Sequence, residues 1–458
     1  MPALVPSSFR GNWLVLEPWM DPNASKVLNA RAVGAPSSTA VVDEYSMGQY
    51  VDAAYMTTFF TQHFNTWIVQ DDFRQIAAAG LNHVRIPIGH WAFPDCIEDG
   101  APYQALDRFD RLKQAVTWAK QYGIHVIIDL HGTPGSQNGY PGSGRSGAAN
   151  WPNNATYYEL TQKAFNYLVA EFTKPEYQGT VTGIQPVNEP IGQQQKSVQT
   201  LLNSYYPWSW DALAYPNGTD QPASSVMLVT HDAWQGLSYW QNYWNKTQAQ
   251  RVIMDAHPYF VYGPEEVNSP DSFRLNEVCE YGARITQSQG YYPTIAGEWT
   301  IGAPQGDNIP KLRDLPATAN IVSSAPGNPP FSQKYMQFLS VNFRAQQQIY
   351  EYGSGFCFWS WRHDAFADQS YKTGIKYGWL PANAAQLDAQ PYGSLCQGTK
   401  FVFDGKFVGN GNGNGGSNGG GNGGSGGASA STLAVHVPAL VALGATTAFS
   451  LVFSLFSA

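Results

Sequence analysis

Little of this sequence is charged, and nothing in it suits a charged partner. Asp, Glu, Lys and Arg make up 13% of the 458 residues, against about 25% in an ordinary soluble chain. The formal charge is −8 and no run of Lys or Arg occurs, which argues against a nucleic-acid partner. Cysteine is scarce. Cys96, Cys279, Cys357 and Cys396 are widely separated, so no zinc or iron–sulfur spacing exists. HExxH, P-loop and dinucleotide fingerprints are also missing, and no cofactor or metal is expected. Met1–Arg10 lacks the apolar h-region of a signal peptide. No charged side chain follows Lys406.

Aromatic residues, in contrast, reach 14%, with 15 Trp and 26 Tyr. A large core accounts for most of them. A weakly charged surface carrying the remainder suits an uncharged polymer with apolar sugar faces. The length fits one α/β barrel of roughly 250 residues enlarged by loop insertions, with no second folded domain. From Gly409 to Gly427 every residue is Gly, Asn or Ser, a flexible coil that cannot bury surface. Small residues Ala428–Ser431 and an apolar tail follow, without the basic flank of a spanning helix. This order reads as a GPI signal, with attachment between Ser417 and Ser431 and a tail anchor as the alternative. The expected organisation is an atypical N-terminus at 1–10, a catalytic barrel at 11–408, a linker at 409–431 and a tail at 432–458. GPI attachment needs a signal peptide, so the N-terminus is expected to be shortened. Sequons at Asn23, Asn154, Asn217 and Asn245 matter only on that secretory route.

Between the ends, helical stretches alternate with short apolar strands. Leu106, Phe109, Leu112, Val116 and Ala119 mark one helix face; Gly123 stops it, and Val126–Leu130 reads as a buried strand. Phe73–Ala79, Gly80 and His83–Ile88 repeat the pattern. Gly183–Val187, Val226–Thr230, Arg251–Asp255, Thr294–Gly297 and Gly355–Phe358 are further strands. The repeat predicts a parallel (β/α)8 barrel, with a doubly wound open sheet as the alternative.

Two glutamates end apolar strands: Glu189 in Ile184-Gln-Pro-Val-Asn-Glu-Pro190 and Glu298 in Thr294-Ile-Ala-Gly-Glu-Trp299. Hydrolysis of a glycosidic bond needs such a pair, one carboxyl to protonate the leaving oxygen and one to attack the anomeric carbon or activate water. Asn188, beside Glu189, can hydrogen-bond a sugar 2-hydroxyl. The Asn-Glu-Pro triplet alone is weak; the strand before it and the partner glutamate give it meaning.

With these, a series of motifs resembles glycoside hydrolase family 5, and within it the fungal exo-β-1,3-glucanases. The series runs Gly11-Asn-Trp-Leu-Val-Leu-Glu-Pro-Trp19, His83-Val-Arg-Ile-Pro-Ile-Gly-His-Trp-Ala-Phe93, Asp129-Leu-His-Gly-Thr-Pro-Gly-Ser-Gln-Asn-Gly139 and Asn188-Glu-Pro190. It continues with His231-Asp-Ala233, His257-Pro-Tyr259, Gly297-Glu-Trp299 and Phe358-Trp-Ser-Trp361. The resemblance implies that Glu189 is the acid/base and Glu298 the nucleophile. It places Arg85, His131, Asn188, His257 and Tyr259 around the glucose subsite, Glu17 on the far hydroxyls and Trp359 beneath the ring. It implies a retaining enzyme releasing glucose from β-1,3-glucan ends in the fungal wall, with transglycosylation accompanying; the GPI membrane link is the one read from the tail, and a monomer is expected. Cys279 and Cys396 match positions joined by a disulfide in the family.

Taken alone, these residues also have plain structural readings. Arg85 could serve a structural ion pair, His131 and His257 could be satisfied core histidines, Glu17 a turn cap and Trp359 barrel core. Departures from the family are local. Two Phe residues that clamp the entrance are matched by Tyr140 and Tyr262. Pro141-Gly-Ser-Gly-Arg145 replaces the usual loop at one end of the pocket, which puts strict exo action in question. Ser8-Phe-Arg10 stands where the first strand belongs, apparently shortened, and a barrel lacking much of that strand would be unstable. The rival readings are β-1,6 or mid-chain cleavage on the same scaffold, and a non-catalytic wall lectin.

Overall fold

The computed structural model describes residues 7–9, 11–216, 218, 224–303, 306, 329–383 and 395–403. The linker and tail at 409–458 and the sequon at Asn217 lie outside these residues. Eight parallel strands close into a barrel in chain order: β1 (Ser7–Phe9), β2 (His83–Gly89), β3 (His125–Gly132), β4 (Val181–Gln185), β5 (Met227–His231), β6 (Val252–Ala256), β7 (Thr294–Ala296) and β8 (Gly355–Phe358). The short N-terminal segment does not leave the barrel open. Ser7 pairs with His83 on one side and Cys357 on the other, and Phe9 pairs with Arg85. The described residues of β1 thus pair along both edges, with β2 and with β8.

Helices run between the strands: α1 (Gln70–Ala78), α2 (Arg108–Gln121), α3 (Ala155–Phe172), α4 (Lys196–Ala214), α5 (Asp271–Gln289) and α6 (Gln333–Tyr350), with shorter ones at Lys246–Ala249 and Tyr371–Tyr377. Leu106 is a correction to the expected helix face: α2 begins two residues later, and Leu106 sits before it at φ 52°, a turn conformation. Among the described residues no helix is long and apolar enough to cross a membrane.

The strands are buried on both faces, as in a parallel sheet covered by helices. Their two faces differ. Ile127, Met227, Val229, Ile253 and Ile295 pack together inside the barrel. Val84, Ile86, Val126, Ile128, Ile184, Leu228, Val252 and Met254 belong to the larger cluster that includes helix residues. This period of two fixes which polar side chains enter the barrel. Stepping by two toward the strand C-termini, Ile127 is followed by Asp129 and His131, Val229 by His231, and Ile253 by Asp255 and His257. Arg85 and Gln185 occupy the same face of β2 and β4. An apolar floor thus carries a polar layer, at the end where barrel active sites form.

Cys279 of α5 is disulfide-bonded to Cys396, 117 positions later. Cys396–Gln397 and Lys400–Phe401 form a small antiparallel pair, so the bond ties this hairpin to the barrel wall. Closing so long a loop typically contributes about 2–4 kcal/mol. Cys96 and Cys357 are buried thiols.

Candidate active site

Arg85 is the hub. Fully buried, it donates from Nε and Nη2 to Gln185 Oε1 at 2.8 and 2.6 Å, from Nη2 to Asn188 Oδ1 at 2.6 Å, and from Nη1 to Glu298 Oε1 at 2.8 Å. Asp129 Oδ2 lies 3.1 Å from Nη2. Burial opposes the guanidinium charge, but Asp129, Glu298 and Asp255 outweigh it and raise its pKa. Removing the guanidinium would leave buried carboxylates unpaired, a loss that typically costs about 3–5 kcal/mol.

Glu298 lies two residues beyond β7, where Gly297 makes the turn possible. A Cβ at Gly297 would stand 2.1 Å from Asp255 Oδ1, the atom that accepts the Gly297 N–H at 2.7 Å. The Glu298 carboxylate receives Arg85 on one oxygen and the Tyr259 hydroxyl on the other, at 2.9 Å. His257 Nδ1 is 3.6 Å from that second oxygen. Burial pushes the Glu298 carboxyl up; His257 and Arg85 pull it back toward the anion, and Glu189 adds to the rise.

Glu189 is not at the strand end, as its sequence context suggested. β4 stops at Gln185, and Val187, expected inside the strand, lies beyond it. Glu189 takes φ 44°, a left-handed conformation that costs a non-glycine residue on the order of 1–3 kcal/mol. The backbone is fixed in place by neighbouring loops. Pro186 C=O accepts from the Tyr205 hydroxyl at 3.0 Å, and the Asn188 N–H donates to Leu130 C=O at 3.1 Å. Gln137 Nε2 donates to Asn188 C=O at 2.9 Å and Asn138 Nδ2 to Glu189 C=O at 3.2 Å.

His257 joins the two glutamates. Its Nδ1 is 2.7 Å from Glu189 Oε1 and its Nε2 is 3.1 Å from Asp255 Oδ2. Burial lowers its basicity, but Glu298 and Asp255 raise it well above the usual value. As an imidazolium it donates at both nitrogens. Ligand atoms of Glu189, His231 and His257 lie within 4.8 Å of one another, and the Nδ1 of each ring already has a partner, Glu189 for His257 and the Ala233 N–H for His231. His257 Nδ1 thus stands between the two carboxyl groups, 2.7 Å from Glu189 and 3.6 Å from Glu298.

Around this pair the other expected residues converge. Asp129 accepts from His131 Nδ1 at 2.5 Å; burial opposes the His131 charge, Asp129 prevails, and the pKa is raised. With Asn188 Oδ1 committed to Arg85, its Nδ2–H points away from the guanidinium, 3.5 Å from His131 Nε2. The Trp359 ring is almost parallel to His131, 6.4 Å away. Trp361 is core: it is buried, and its Nε1 donates to Asp72. Glu17 is held by Asn12, whose N–H donates to Glu17 Oε2 at 2.8 Å while Asn12 Oδ1 accepts the Glu17 N–H at 2.7 Å. Gly11 permits the approach, since a Cβ there would meet Trp359 at 2.9 Å and Glu17 at 3.0 Å.

Burial, only partly offset by His131 and the Asn12 amide, pushes the Glu17 carboxyl up to about 8. The native state therefore keeps a proton that the unfolded chain releases near 4.5. This contribution to stability is complete below 4.5 and is lost as pH rises toward 8, by about 1.4 kcal/mol for each pH unit crossed. Glu17→Gln keeps the acceptor for Asn12 and cannot ionise. Its melting temperature is expected to gain several degrees on wild type between pH 5 and 8; a constant difference across a pH series would contradict this assignment.

The Pro141–Arg145 loop walls one end of the site. A Cβ at Gly142 would stand 3.5 Å from Glu17 Oε1 and His131 Nε2 and 3.6 Å from Trp19 Cη2. The loop is pinned by Tyr45 N–H and the Tyr103 hydroxyl on Gly144 C=O, at 2.9 and 3.2 Å. Arg145 covers the Tyr45 ring at 4.1 Å. Near Glu189, Tyr140 is half-buried with its hydroxyl on Gln194. Tyr262 is 51% exposed, hydrogen-bonded to Gln369 and 5.6 Å from Tyr259.

The structure thus brings every expected site residue to one end of the barrel. It adds Asp129, Gln185, Asp255, Gln137 and His231, to which sequence reading gave no role. For all but Gln137, which lies in the loop after β3, the signal was a polar side chain at an inward position of an otherwise apolar strand.

Comparison with known proteins agrees with this geometry. Residues 46–363 match the Cellulase family, glycosyl hydrolase family 5. A glucan 1,3-beta-glucosidase of Kluyveromyces lactis is 30% identical over 393 residues, covering 81% of this chain and 87% of that one. Glucan 1,3-beta-glucosidase 1 of Schizosaccharomyces pombe is 32% identical over 350 residues, covering 76% and 81%. Among solved structures, a rutinosidase from Aspergillus niger shares the fold with a TM-score of 0.63 at 18% identity, covering 82% and 98%.

Proposed function

The chain belongs to glycosyl hydrolase family 5 and is a β-glucan hydrolase; from that premise we propose that it releases glucose from the non-reducing ends of β-1,3-glucan with net retention. Its place of action in this reading is the fungal cell surface, reached through a GPI signal in residues 409–458. The observation that carries the reaction is the unequal treatment of two facing glutamates. Glu298 is surrounded by Arg85, Tyr259 and His257, all favouring its anion. Glu189 has one close side-chain partner, His257.

In the first step Glu298 attacks the anomeric carbon while Glu189 gives its proton to the departing glycosidic oxygen, leaving a glycosyl-enzyme. Glu189, now a carboxylate, takes a proton from water as the water oxygen attacks the same carbon and the bond to Glu298 breaks. A second sugar hydroxyl in place of water gives transglycosylation. Asn188 Nδ2 donates to the 2-hydroxyl, Trp359 supplies an apolar floor, and Glu17 binds the far hydroxyls as a neutral acid at pH 7.

Exo action is supported by the Gly142 loop lying against Glu17 and His131, on the side of the site where Glu17 would hold the far hydroxyls of a terminal sugar. The hydroxyls of Tyr140 and Tyr262, each bonded to a glutamine, favour a second reading: a more polar entrance that takes β-1,6-glucan. Timed product analysis on laminarin and pustulan separates them. Glucose is expected as the first product from laminarin, with pustulan much slower. Early laminari-oligosaccharides, or faster cleavage of pustulan, would overturn the reading.

A further inference from the structure

His231 is fully buried at the end of β5 and has a role left unfilled by the reaction above. The chain after it turns sharply: Ala233 and Trp234 take φ 54° and 61°, which returns the Ala233 N–H to His231 Nδ1 at 3.0 Å. The Tyr206 hydroxyl holds the His231 C=O at 2.9 Å. Because Nδ1 accepts, the proton of the neutral ring is on Nε2. Burial, His257 and Arg85 keep the ring neutral by lowering its pKa well below the usual value.

That Nε2–H is buried without a hydrogen-bond partner, a costly condition that calls for an acceptor present in some other state. The surroundings indicate which. The His231 ring stands edge-on to His257 at 4.4 Å. One of its nitrogens, a nitrogen of His257 and a carboxyl oxygen of Glu189 lie within 4.8 Å of one another. His257 already serves one oxygen of Glu189 at 2.7 Å. Once Glu189 has protonated the leaving group, both its oxygens are acceptors, and a second donor is wanted.

We propose that His231 is a positioning residue for the second half of the reaction, its Nε2–H binding the Glu189 carboxylate in the glycosyl-enzyme and holding it as base toward water. This rests on Glu189 being the acid/base. If azide fails to rescue Glu189→Ala, that role falls whatever His231 does.

The test uses 2,4-dinitrophenyl β-glucoside, whose leaving group departs without a proton. Its kcat/KM reports formation of the intermediate and its kcat reports breakdown. His231→Asn keeps an acceptor for the Ala233 amide and withdraws the donor at Nε2. It is expected to lower kcat about tenfold, the loss of one charge-assisted hydrogen bond, with a much smaller change in kcat/KM. His231→Gln, whose amide reaches the Nε2 position, should recover most of the loss. Equal falls in kcat and kcat/KM, or no change in kcat, would overturn the proposal. A measurement on the native enzyme stands beside these variants in case they do not fold. In protein carrying 15N-histidine, the His231 Nε2–H resonance should move downfield when the intermediate is trapped with a 2-fluoro glucoside. An unmoved resonance would equally overturn it.

Discussion

Glu298→Ala is expected to be inert on laminarin and on dinitrophenyl glucoside alike, with turnover down by on the order of 10⁵-fold. A good leaving group cannot help, because no other carboxylate is free to attack. Asp129 is tied to Arg85 and His131, and Asp255 to Gln185, His257 and the Gly297 amide. Both are fully buried beneath the site. Loss of activity should come without loss of fold. Burial raises the Glu298 pKa, so the carboxylate is held at a cost to stability, and Arg85 retains Asp129, Gln185 and Asn188 in the variant. A melting temperature at or above wild type, measured on the inert protein, separates chemistry from unfolding. Turnover within a hundredfold of wild type would mean that Glu298 is not the nucleophile.

Much of the architecture was legible because a parallel barrel writes itself in apolar runs. Val126–Leu130 and His83–Ile88 are buried on both faces, so composition alone marks them. The edges were less legible. Val187 is apolar and buried, which reads as strand, yet β4 has already ended so that the chain can carry Glu189 into its left-handed turn. Leu106 fits the helical spacing of α2 but precedes it. Ser7–Phe9 is too short to announce a strand, and only pairing with β2 and β8 makes it one.

The site divides in the same way. Glu189, Glu298 and the residues of the glucose subsite lie in motifs, and chemistry names their types. Asp129, Gln185 and Asp255 each look like a lone polar interruption in an apolar strand. Nothing local says that Asp129 and Gln185 meet one guanidinium and that Asp255 holds Gln185 in turn, because that follows from the registers of β2, β3, β4 and β6. The partner of Cys279, 117 positions away, is a fact of the same kind: family resemblance implied it, and spacing could not.

The division of labour between the two glutamates is tested most directly by the anomer formed when azide is added to Glu189→Ala with dinitrophenyl glucoside. Glu298 remains, so the intermediate should form quickly and release a burst of dinitrophenol. Breakdown should be slow, since no base remains to activate water. Azide needs no base. It is expected to restore turnover and to give β-glucosyl azide, the product of two inversions, identified by the coupling of its anomeric proton. The α-azide from Glu189→Ala, with β-glucosyl azide from Glu298→Ala instead, would contradict the account and exchange the two roles.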